Sequence, residues 1–89
     1  PAHTISLRQT ECQRTDETIT AAVYEYLVDN DGEWGELRFD FENGTAEIVR
    51  LADWDTVKSN VFARAAIRFV QSLPEARLPK ETAVPFEIS

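Results

Sequence analysis

The stretch that most constrains the fold runs from Glu36 to Leu51, Glu-Leu-Arg-Phe-Asp-Phe-Glu-Asn-Gly-Thr-Ala-Glu-Ile-Val-Arg-Leu. Leu37, Phe39 and Phe41 alternate with Glu36, Arg38, Asp40 and Glu42. A period of two puts the apolar residues on one face of a strand and the charges on the other. Asn43-Gly44 then supplies two residues that tolerate positive φ, as a two-residue type I′ turn requires. That turn predicts a hairpin with Phe41 opposite Ala46, Phe39 opposite Ile48, and Asp40 facing Glu47 as a like-charge pair. Strict pairing also sets Arg50 opposite Leu37 on the apolar face. A bulge near Val49 or a snorkelling Arg50 resolves that conflict. Asn43-Gly44-Thr45 matches a glycosylation sequon and is read as turn chemistry.

The rest of the chain supplies partners for this hairpin. His3 to Cys12 reads as a short strand through Ile5 and Leu7, and Gln13 to Glu17 as a polar loop. Thr18 to Val28 is rich in β-branched and aromatic residues, with Ile19, Ala21, Val23 and Leu27 on one side and Ala22, Tyr24, Tyr26 and Val28 on the other. A strand apolar on both faces sits centrally in its sheet. Asp29-Asn30-Asp31-Gly32 is a turn. An EF-hand register with Gly32 at the sixth position puts Leu27 at the first, and leucine cannot ligate calcium. A helix follows, capped by Ser59 or Asp55 and ending near Leu73 before Pro74. Its stripe is Val61, Phe62, Ala65, Ala66, Phe69, Val70 and Leu73, with Ile67 at the edge. Phe39 and Phe69 are expected to share one core.

Residues 1–89 form a single small domain on this reading. The fold class is α+β: an antiparallel four-stranded meander sheet with one C-terminal helix packed on one face, followed by an extended tail from Glu75 to Ser89. Within the tail, Val84 to Ile88 has the alternative of an edge strand, where Pro85 is tolerable.

Charge bounds the function. Residues 29–55 hold nine carboxylates against Arg38 and Arg50, which accounts for the whole formal net charge of −7. An acidic surface disfavours nucleic acid and anionic membranes, which select for Lys and Arg. No apolar run approaches the ~20 residues of a membrane span. No stretch reads as a signal peptide, although a segment before Pro1 stays open. Cys12 is a single cysteine and allows no internal disulfide, so a reducing, cytoplasmic setting is expected.

Catalytic chemistry lacks its parts. His3 is the only histidine and reads as solvated, without a partner for a nucleophile–base pair or a zinc site. Cys12 reads as a small buried hydrophobe. The three glycines make no phosphate-cradling loop. Asp53 and Asp55 flank Trp54, but acids there also suit the start of a helix. No catalytic residue, metal or cofactor is assigned. The expectation is a non-catalytic acidic interaction module that self-associates as a homodimer or binds a protein partner, for instance as an inhibitor of a basic one. Its candidate surface is Tyr24, Tyr26, Trp34, Glu36, Arg38, Asp40, Glu42, Glu47, Asp53, Trp54 and Asp55. The alternative is a small-ligand-binding domain or small enzyme with a pocket between sheet and helix, lined by Tyr24, Tyr26 and Trp34.

Overall fold

A computed structural model describes residues 1–88, apart from the side chains of Lys58 and Glu75; Ser89, the end of the predicted tail, lies outside the described residues. Among the described residues, five antiparallel strands make one sheet: β1 (Ala2–Thr15), β2 (Thr18–Val28), β3 (Asp31–Asp40), β4 (Thr45–Arg50) and β5 (Glu81–Glu87). Their order is β4-β3-β2-β1-β5. Two helices, α1 (Asp53–Lys58) and α2 (Val61–Gln71), and a 3₁₀ turn at Glu75–Arg77 carry the chain from one sheet edge to the other. The α+β class and the antiparallel meander of β1 to β4 match the sequence reading. The count of four strands and one helix does not. Most of the tail beyond the 3₁₀ turn is a fifth strand, with Ile5 opposite Val84 and Thr4 opposite Pro85. Proline fits because the outer side of an edge strand has no ladder N–H to supply.

The helix divides because Ser59 and Asn60 both adopt left-handed conformations, with φ of 57° and 63°. Such residues end one helix and cannot propagate another. Neither Ser59 nor the Asn60 side chain caps α2. Asp55 does so from inside α1, accepting the N–H groups of Phe62 and Ala63 at 2.8 Å each.

The hairpin register also departs from expectation. Phe39 pairs with Ala46, Leu37 with Ile48, Arg38 with Glu47 and Asp40 with Thr45. Phe41 to Gly44 is therefore a four-residue loop. The Asp40 carboxylate competes with a tight turn by accepting the backbone N–H groups of Glu42 and Asn43 and the Asn43 side-chain amide. Among residues 41–44 only Gly44 has positive φ, at 68°. The shift is two residues, so every side chain keeps its face. The like-charge pair of Asp40 and Glu47 does not form. Val49 is the unmatched residue, and this bulge sets Arg50 opposite Glu36 rather than Leu37. The two-residue turn with both residues at positive φ lies elsewhere, at Asp29-Asn30 between Val28 and Asp31.

Gln13 to Thr15 is strand, not loop, and β1 meets β2 through Asp16-Glu17. Thr20 is unmatched in β2. That extra residue resets the alternation, so Ile19 is buried beside Ala76 rather than facing outward with Ala21. Ile5, Leu7, Tyr24, Tyr26, Val28, Leu37 and Phe39 form the sheet side of the core against Phe62, Ala63, Ala66 and Val70 of α2. Phe69 is only partly buried at the core's margin. His3 is not solvated. Its side chain is 12% exposed, its Nδ1 lies 2.6 Å from Asp29 Oδ2, and its ring packs on Trp54 and Phe62. Cys12 is half-buried. No helix of the described residues is long and apolar enough to cross a membrane.

Candidate functional site

The described helices and the 3₁₀ turn pack on one face of the sheet, and strand pairing lays out the other in rows. Glu81 stands opposite Arg8, Arg8 opposite Glu25, Glu25 opposite Glu36, and Glu36 opposite Arg50. The next row is Glu11, Val23, Arg38 and Glu47, and the one beyond it Gln13, Ala21, Asp40 and Thr45.

The Arg8 row is tied together. The Arg8 guanidinium contacts Glu25 at 2.7 Å and lies over the Trp34 ring, 3.8 Å from its centroid. Arg50 reaches Glu25 at 3.5 Å and Glu36 at 3.9 Å, and donates to the Trp34 carbonyl at 3.1 Å. Arg38 sits 3.8 Å from Glu36. Each pair is partly solvated and contributes only about 0.2–1 kcal/mol, but the network gathers three guanidiniums and a tryptophan around one row.

The two largest features of the next rows are adjoining hollows of about 260 and 390 Å³. They share Gln13, Ala21, Arg38 and Phe39. Glu11 and Val23 complete the first, and Asp40, Glu42 and Glu47 border the second. The Asn43 side-chain amide, with backbone N–H groups of the loop, holds the Asp40 carboxyl below the usual carboxylate range. At the opposite end of β3, the His3 ring and the Thr4 N–H do the same for Asp29.

The predicted surface residues separate into three places. Trp34, Glu36, Arg38, Asp40 and Glu47 share the uncovered face, and Glu42 borders it from the loop. Asp53 and Trp54 belong to α1: Asp53 accepts the Glu33 N–H at 3.0 Å, and Trp54 is half-buried against His3. Tyr24, Tyr26 and Asp55 are core residues and present no surface. Tyr24 donates to the Pro79 carbonyl, and Tyr26 donates to Asp55 at 2.5 Å while accepting the Ala52 N–H. Burial first, and for Tyr26 the bond to Asp55 as well, pushes both phenols above their ordinary value. The acidic segment 29–55 is likewise divided. Asp31 and Asp40 lie at opposite ends of a ten-residue strand, about 30 Å apart.

Sequence reasoning missed Arg8, Glu25, Arg50, Ala21 and Val23. The signal was the β1–β2 register, which places Arg8 against Glu25, but reading Gln13 to Glu17 as a loop conceals the two-residue Asp16-Glu17 connection that sets it. Compared with known proteins, the chain matches no family model, no curated protein and no solved structure.

Proposed function

We propose that the chain is a non-catalytic protein-interaction module of the cytoplasm, and that it docks a partner protein on the uncovered face of its sheet. The observation that carries this reading is where the open space lies. The adjoining hollows at Ala21 and Asp40 and another beside Arg8 and Trp34 open on the uncovered face, and one of about 240 Å³ lies at the Ile19–Ala76 end of the sheet, whereas the space between the middle of the sheet and the helices is filled by Tyr24, Tyr26, Leu37, Phe62 and Val70. A ligand pocket between sheet and helix has no room among these side chains.

The face is large enough for a transient partner. Five strands at ~4.8 Å spacing and ~30 Å of length present roughly 700 Å², close to the ~800 Å² per partner of a standard interface. Its Trp and Arg content is that of an anchoring surface.

The test is parallel capture from cell lysate with the tagged natural chain and with Val23→Arg, which places a long charged side chain on the face. A partner retained by the first and lost by the second supports the reading. Equal retention of every protein by both refutes it. Sedimentation across micromolar to millimolar concentrations tells whether the partner is a second copy.

A further inference from the structure

The two halves of the uncovered face are covered to different degrees. Around the Arg8 row, long side chains lie back over the sheet. Leu27 is only 7% exposed, and Arg8 lies flat over the Trp34 ring. Ala21 and Val23 lie in the other half and are half-buried, with small side chains that cover nothing beyond themselves. Both adjoining hollows open there, while a flatter one of about 440 Å³ lies beside Arg8, Trp34 and Glu81 in the first half.

We infer that this half, floored by Ala21 and Val23 and rimmed by Glu11, Asp40, Glu42 and Glu47, takes a lysine- or arginine-bearing segment of a basic protein partner. The inference rests on the interaction-module reading and names its site and partner chemistry. The rim carries four carboxylates and one guanidinium, Arg38, a net of three negative charges. Lys and Arg side chains lay their methylene stems on apolar surface and carry the charge beyond it. A stem on Val23 and Ala21 brings its head group to Glu11 on one side or to Glu47 on the other.

The chemistry also rejects other occupants. An anionic partner meets like charge. A second copy carries the same −7, and matched acidic faces repel rather than dock. At the far end of β3, Asp29 is held by His3 and the Thr4 N–H and Asp53 by the Glu33 N–H; on the rim Asp40 is likewise held by its loop, so Glu11, Glu42 and Glu47 are the rim acids offered to the head group.

The experiment titrates the ¹⁵N-labelled chain with a short alternating lysine–valine peptide at low salt, and with a glutamate–valine peptide as control. Amide shifts should concentrate at Ala21, Val23, Arg38 and Glu47 with the basic peptide alone. Val23→Gln keeps the net charge but fills the floor, and should weaken binding about tenfold. Glu47→Gln should weaken it about two- to fivefold. Glu33→Gln removes the same charge from the other end and should change nothing. Glu47 is exposed, so its variant keeps the test valid even if Val23→Gln unfolds. Absence of binding, equal losses in Glu47→Gln and Glu33→Gln, or shifts centred on residues 29–33 would each overturn the inference. A partner that Val23→Arg loses but that has no preference for the basic peptide's site overturns it too, while leaving the interaction-module reading intact.

Discussion

Replacing Asp55 by alanine tests the joint that fastens the helices to the sheet. The carboxylate is wholly buried. It accepts from the Tyr26 hydroxyl at 2.5 Å and from the Phe62 and Ala63 N–H groups at 2.8 Å. Those two amides are orphan donors at the start of α2. Hydrogen bonds to a charged group contribute about 1.5–3 kcal/mol each, so three taken independently give roughly 5–9 kcal/mol. Cap deletions cost less, about 0.5–2 kcal/mol, because a frayed helix end recruits water. Phe62 and Ala63 are fully buried, so water reaches them only if the α1–α2 corner detaches. The expected loss therefore falls between the two, at about 3–5 kcal/mol. A domain of this size has about 5–10 kcal/mol in total. With a urea slope of about 1–2 kcal/mol/M, the midpoint should fall by roughly 1.5–5 M. Far-UV circular dichroism in urea reads this directly. Tyr26→Phe strands the Ala52 N–H and should cost about 1–3 kcal/mol. The double variant should lose less than the sum of the two, by at least about 0.5 kcal/mol, because both act on one network. A midpoint shift below 0.5 M for Asp55→Ala, or strict additivity, would refute the shared-carboxylate account.

Three further outcomes are expected. Gly35→Ala drives a Cβ into the Tyr26 ring, the Ala52 nitrogen and the Arg50 carbonyl, and should cost more than ~3 kcal/mol in thermal melts; Gly44→Ala has open space but φ of 68° and should cost only about 1 kcal/mol. Stability should be lost at both pH extremes. The folded pKa of Asp29 lies below its ordinary 3.8, so its contribution is present above that value and disappears as pH falls further. The folded pKa values of Tyr24 and Tyr26 lie above 10.0, so theirs is present below 10 and disappears as pH rises beyond it. In urea midpoints against pH, Asp29→Asn should flatten the acid limb and Tyr26→Phe the alkaline one; unchanged limbs would contradict these assignments. Trp34→Ala removes the ring under the Arg8 guanidinium and should cost about 0.5–1 kcal/mol, and an unchanged urea midpoint would show that the stack contributes nothing.

What the sequence determined by itself was set by period and local chemistry. The alternation of Leu37, Phe39 and Phe41 decided which residues of β3 face the helices, and it survived a register two residues from the expected one because a shift of two preserves the face. The apolar stripe of α2, the bulge at Val49 and the edge-strand alternative for Val84 to Ile88 were legible for the same reason. Tertiary structure decided what depends on competition between distant groups. Asn43-Gly44 is a strong local turn signal, yet Asp40 captures that loop's amides, and the positive-φ turn forms at Asp29-Asn30, where His3 and Thr4 anchor the side chain. Tyr24 and Tyr26 have the composition of a surface, but their hydroxyls find Pro79 and Asp55 inside, so the rings are core. The uncovered face of Arg8, Glu25, Trp34 and Arg50 exists only once β1, β2, β3 and β4 are paired with their bulges. Side-chain patterning reports the two faces of one strand, whereas the neighbours across a sheet follow from register, and register is settled by hydrogen bonds and packing between residues far apart in the chain.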